Sequence, residues 1–187
     1  MNEKHHYAGR RNSFMELDTV YFWTGTIHDW CHLLAKDECK QEIIRSLQWL
    51  HHKELIAIYG FVIMPNHVHL LWEQLAMNGR EYPKNSFDKF TAHKFLHYLR
   101  KNNPSFLEKF RSPENDRNHL FWQYDPLAIE IISREMVMQK LEYIHFNPLQ
   151  EHWNLSNDPV LYRFSSACFY ETGEDEFGFL THFADRF

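Results

Sequence analysis

Cysteine is scarce in this sequence of 187 residues: Cys31, Cys39 and Cys168 are all there are. No two stand in a CxxC spacing, so neither a disulfide framework nor a cysteine zinc knuckle is supported, and reduced thiols are expected. Glycine is sparse too, six residues in all, and none falls in a phosphate-cradling loop of the Walker type. The GxSxG elbow of serine hydrolases and the DxDxDG calcium loop are also missing. Long apolar runs are lacking. The stretch Ile56 to Met64 falls far short of the roughly 18 residues that span a bilayer, and the polar first residues have no signal-peptide core. A soluble, cytoplasmic protein with no membrane partner is expected.

What is present is core material. Hydrophobic residues make up 44% of the chain and aromatics 17%, which excludes intrinsic disorder for its body, and the length suits one domain. The net charge of −5 is unevenly spread. Residues 150–187 carry seven acids against Arg163 and Arg186, so residues 1–149 balance at 18 of each sign. Within them, residues 84–118 hold eight bases against four acids. That is either a local positive strip or a solvated helix face.

Periodicity divides the chain into elements. Residues 1–15 read as an arm, and Tyr21–Ile27 as a strand in which Gly25 marks a bulge or a close backbone approach. Helical spacing runs from Ala35 to His51 through Cys39, Ile43, Leu47 and Leu50. Leu55–Met64 and His67–Glu73 read as strands whose short Pro65-Asn66 gap favours an antiparallel hairpin. A helix through Phe87, Phe90, Lys94 and Tyr98 ends before Pro104. The segment His119–Ile132 can hold another strand. Ser133 is a helix N-cap, with Glu135 in the first turn and a stop at Pro148. Residues 171–187 form an acidic tail. This order predicts an α+β domain, an antiparallel β-sheet with helices packed on one face.

Two segments carry chemistry. In a strand, His67 and His69 share one face about 7 Å apart at the Cα, while Val68, Leu70 and Trp72 point the other way. Two imidazoles so placed either hold one ion or serve only structure. On the helix ending Leu141-Glu142-Tyr143-Ile144-His145-Phe146-Asn147-Pro148, Tyr143 and Asn147 share a face opposite Val137, Leu141 and Ile144. A carboxamide oxygen with imidazoles suits Mg²⁺ or Mn²⁺ holding a phosphate, with the phenol as nucleophile. The plain alternative is a half-buried aromatic and a helix cap. Other histidines lead nowhere: Lys94 stands between His93 and His97 where a zinc protease helix has glutamate, and His28, Cys31 and His32 lack a second half-site.

Together the segments resemble a known family, the HUH single-tyrosine transposases, IS200-like, and within them the REP-associated tyrosine transposases. The residues that carry the resemblance are Tyr21-Phe22-Trp23-Thr24-Gly25-Thr26, the block from Val62 to Leu70 with Pro65-Asn66-His67-Val68-His69, Trp122-Gln123, Tyr143-Ile144-His145-Phe146-Asn147-Pro148, and Ser165-Ser166-Ala167. They cover about residues 20–170. The resemblance implies a ferredoxin-like sheet with the catalytic Tyr143 on a helix in the C-terminal half, and His67, His69 and Asn147 as metal ligands. It further implies cleavage and rejoining of single-stranded DNA through a 5′-phosphotyrosine, as a monomer or homodimer. Lys89, Lys94, Arg100, Lys101 and Trp122 are candidate DNA contacts. A noncatalytic, domesticated protein that binds single-stranded or hairpin DNA is the second reading.

Overall fold

The computed structural model describes residues 14–112, 118–124 and 126–187. Most of the expected arm and the segment 113–117 lie outside the described residues. The chain begins with β1 (Val20–Thr26), followed by helix α1 (Asp37–His52) and the hairpin β2 (Ile56–Ile63) and β3 (His67–Gln74). Helix α2 (Pro83–Asn102) and the short α3 (Pro104–Leu107) lead to β4 (Leu127–Glu130). Helix α4 (Arg134–Phe146) and the short α5 (Ala167–Thr172) complete the set.

The strands form one sheet in the order β2-β3-β1-β4 with every neighbouring pair antiparallel. That is the ferredoxin-like order, in which β1 and β2 run parallel on either side of β3. Helix α1 presents Cys39, Ile43, Ile44, Leu47 and Leu50 to the sheet, with Asp37 and Glu38 at its N-terminus and His51 and His52 at its C-terminus to suit the macrodipole. Helix α2 opens on Pro83, where an amide hydrogen would go unused, and buries Phe87, Thr91, Phe95 and Leu99 at every fourth position. Both helices cover the face lined by Trp23, Val68, Leu70 and Trp72.

The α+β class and the antiparallel sheet match expectation, but the helices are not confined to one face. Helix α4 covers the other side, where Val20, Phe22, Val62, Met64 and Leu71 pack with its Val137, Leu141 and Ile144. The reason lies in the strands: every residue of β3 is buried, so both of its faces need a cover. A bulge between Ile58 and Gly60 shifts the phase of β2 by one residue, so that Ile58 and Phe61 face the same layer. Gly25 is a close approach as expected, because a Cβ there would lie 2.2 Å from the Trp23 ring.

Residues 171–187 are not a free tail. Phe177, Phe179 and Phe183 are buried. The outer edge of β2 is covered by bridges from Ser165 to Val62 and from Leu180 to Ile58, and the Thr181 amide donates to the Ile58 carbonyl at 2.9 Å. Arg186 Nε donates to buried Glu73 at 3.1 Å, and Tyr59 donates to the same carboxylate at 2.7 Å. Glu174 and Glu176 are exposed, the latter paired with Arg163, while Phe177 and Phe179 just after them turn inward. Among the described residues, no helix is long and apolar enough to cross a membrane.

Candidate metal and nucleophile site

The turn before β3 sets the chemistry of the first histidine. Asn66 accepts the Ile27 amide through its backbone carbonyl at 2.8 Å and donates from Nδ2 to the Trp30 carbonyl at 3.3 Å. Its side-chain Oδ1 is thereby aimed at His67 Nδ1, 2.7 Å away. An amide oxygen only accepts, so Nδ1 carries the proton and Nε2 keeps its lone pair.

His69 is fixed from the neighbouring strand. The β1–β3 register sets Thr24 opposite His69, and Thr24 Oγ1 lies 2.8 Å from His69 Nδ1. Phe22 stacks on the imidazole, with centroids 5.2 Å apart and planes inclined by 22°. The two imidazole centroids are 4.7 Å apart. His69 Nε2 is buried and has no hydrogen-bond partner.

Helix α4 brings the other half. Ser133 caps it by accepting the Met136 amide at 3.4 Å, as the sequence predicts. Gly60 lets the helix sit close, since a Cβ there would stand 2.5 Å from Leu141 Cδ2. His145 Nε2 lies 2.9 Å from Ser166 Oγ, which also accepts the Phe61 amide at 3.0 Å, so the rotation of α4 is tied to the bulged strand. In that setting Tyr143 packs edge-on to His69 at 5.2 Å and to Phe22 at 6.0 Å. Tyr143 stays 45% exposed, whereas Asn147 is 2% exposed and its Oδ1 has no partner.

Two facing elements thus each bury an unpartnered polar atom beside the phenol: Asn147 Oδ1 accepts, and His69 Nε2 accepts in the tautomer that donates from Nδ1 to Thr24. Such atoms are costly unless something binds them. The electrostatics agree with a cation site. Burial, reinforced by the nearby His152, lowers the His67 pKa to about 4. Burial, with His67 and Lys140 adding to it, holds His69 well below the ordinary value. Both rings are therefore neutral at physiological pH, the form that ligates a metal. Burial raises the Tyr143 pKa, and the Asn147 carboxamide opposes that rise. Lys140 sits with Nζ 4.9 Å from the Phe22 ring centroid, and burial lowers its pKa.

All four residues predicted for the metal and the nucleophile meet within one chain. The predicted DNA contacts do not join them. Helix α2 lies on the opposite side of the sheet, where Lys89 pairs with Glu81, Lys94 stands 5.3 Å from the Phe90 ring, and Arg100 and Lys101 are exposed in the last turn. Trp122 is a core residue rather than a stacking platform: it is 8% exposed, donates to Thr91 Oγ1 at 2.9 Å, and packs against Trp23, Phe87 and Phe95. Burial on an aromatic layer takes its faces away from a base. The supporting Asn66, Phe22 and Lys140 had no assigned role; only the alternation of β1, which puts Phe22 and Thr24 on one face, pointed toward them.

No family profile and no curated protein matches this chain. Its fold is that of a solved REP-associated tyrosine transposase bound to a REP hairpin, with a TM-score of 0.57 at 16% identity over 89% of this chain and 87% of the other. A candidate transposase from Deinococcus radiodurans R1 aligns at a TM-score of 0.40 and 15% identity, over 71% of this chain and 92% of its own.

Proposed function

We propose that the chain cuts and rejoins single-stranded or hairpin DNA through Tyr143, with a divalent ion such as Mg²⁺ or Mn²⁺ held by His67, His69 and Asn147. One observation carries the reading: the buried, unpartnered His69 Nε2 and Asn147 Oδ1 flank the half-exposed Tyr143. Two neutral imidazoles and an amide oxygen fit such an ion and leave its charge for a phosphate. When bound, the ion would draw charge from a phosphate oxygen, so that a phenol whose pKa burial holds above its ordinary value can attack.

The remaining work falls to the chain. Asn66 keeps the His67 proton on Nδ1, and Thr24 and Phe22 fix the ring of His69. The His145–Ser166 contact holds α4 so that the phenol faces the histidines. The Tyr143 oxygen bonds to phosphorus as the P–O3′ bond breaks. The phenol proton leaves to solvent, and the released 3′ oxygen takes one up. A 5′-phosphotyrosine and a free 3′-OH result, and attack by a 3′-OH reverses the step.

The test is a denaturing gel of labelled hairpin DNA from beside the encoding gene, with Mg²⁺ or Mn²⁺. A metal-dependent protein–DNA adduct is expected for the wild type and lost in Tyr143→Phe and His67→Ala. An adduct in Tyr143→Phe at the wild-type rate removes the tyrosine from its role. Hairpin binding with no adduct on any flanking sequence transfers the assignment to the noncatalytic reading.

A further inference from the structure

A cavity of about 400 Å³ opens on the outer flank of α4, lined by Gln139, Lys140, Glu142, Tyr143, Phe146 and Gln150. That volume lies within the about 300–1,000 Å³ of small-molecule sites. Tyr143 forms part of its wall, so whatever joins the phenol is held at its mouth. Phe146 is 53% exposed, a large apolar ring left open one helical turn from the nucleophile. Lys140 is half-buried and forms no ion pair among the described residues. It is the only cation of the lining, while Glu142 disfavours an anion at its own end.

We infer that this flank is a nucleotide subsite, in which Lys140 contacts a phosphate oxygen and Phe146 stacks the base of the nucleotide that becomes joined to Tyr143. The inference rests on the proposed function and extends it to the substrate. A half-buried cation without a carboxylate invites an anionic ligand, and every base offers a π-face to an open aromatic ring. The amides of Gln139 and Gln150 can donate to or accept from a base edge. The covalent link selects the nucleotide on the 5′-phosphate side, because the other fragment departs with its 3′-OH.

The experiment is a cycle on the full-length protein, pairing Phe146→Ala with hairpin DNA made abasic at the nucleotide that receives the tyrosine. Stacking at this site predicts that Phe146→Ala slows adduct formation about tenfold on intact DNA and adds little on abasic DNA. Phe146→Trp restores the rate, and Lys140→Gln lowers the salt slope of hairpin binding by about one. Equal losses on intact and abasic DNA, or coupling to the nucleotide on the 3′-OH side instead, overturn the assignment. Absence of any wild-type adduct sinks the nuclease reading, while the same cycle, read as equilibrium hairpin binding, still decides the subsite: coupling supports it and additivity refutes it. Phe146 is exposed, and circular dichroism checks that its variants fold.

Discussion

The two faces of the sheet dispose of their unpartnered polar atoms differently. On the α1/α2 side these are, among the described residues, the indole nitrogens of Trp23 and Trp72, which only donate, His51 Nδ1, and one oxygen each of Glu42 and Asp88, whose other oxygens already pair with Arg45 and Lys84. On the α4 side His69 Nε2 and Asn147 Oδ1 gather beside one phenol. One strand, β3, thus carries a packed core on one side and the candidate site on the other. The lesson is that burial alone does not separate core from function; the convergence of unpaired atoms on a reactive group does.

Breaking the packed face should cost most. Trp72→Ala removes a fully buried ring and is expected to destabilise the protein by about 3–5 kcal/mol, read by chemical denaturation. Loss of under about 1 kcal/mol would mean that this face is not the main source of stability. Gly60→Ala attacks the seam between the faces: a Cβ 2.5 Å from Leu141 Cδ2 must push α4 outward, at about 1–3 kcal/mol. Adduct formation should fall much further than stability does, because the phenol leaves its place.

The third prediction reverses the usual sign. Asn147→Leu removes an unsatisfied buried oxygen and is expected to leave the metal-free protein as stable as before, or more stable by about 1–2 kcal/mol. The same variant should lose the thermal shift on adding Mn²⁺. A strongly destabilised metal-free variant would assign Asn147 to structure. The smallest effect belongs to His145→Gln, about 1 kcal/mol at neutral pH for the weakened Ser166 contact. Burial lowers the His145 pKa to about 4, against an ordinary value of 6.5. The unfolded chain therefore binds the extra proton first, and stability present above pH 6.5 drains away as pH falls toward 4. His145→Gln lacks that contribution, so its deficit should narrow over this interval in denaturation curves.

Much of this contrast was legible beforehand. The two-residue period of His67 and His69 against Val68, Leu70 and Trp72 placed β3 correctly, and the Ser133 cap with the Pro148 stop framed α4. Those signals are local, set by neighbours in sequence. The need for a glycine at position 60 was not legible, since it arises from Leu141, a residue of another element. Nor was the burial of Trp122, because an aromatic ring reads alike whether it stacks on a base or on Phe87. The acidic residues of 171–187 concealed Phe177, Phe179 and Phe183, which are buried although they lie in no strand or α-helix.

The closure of the sheet also bears on synthesis. Arg186 reaches Asp18 and Glu73, partners 168 and 113 positions earlier, and Phe183 packs among the residues that seat α4. Contacts of such separation form late and slowly. A nascent chain still short of residue 183 carries Tyr143 on a helix with an incomplete seat, so the competent arrangement arises only after those residues clear the ribosome.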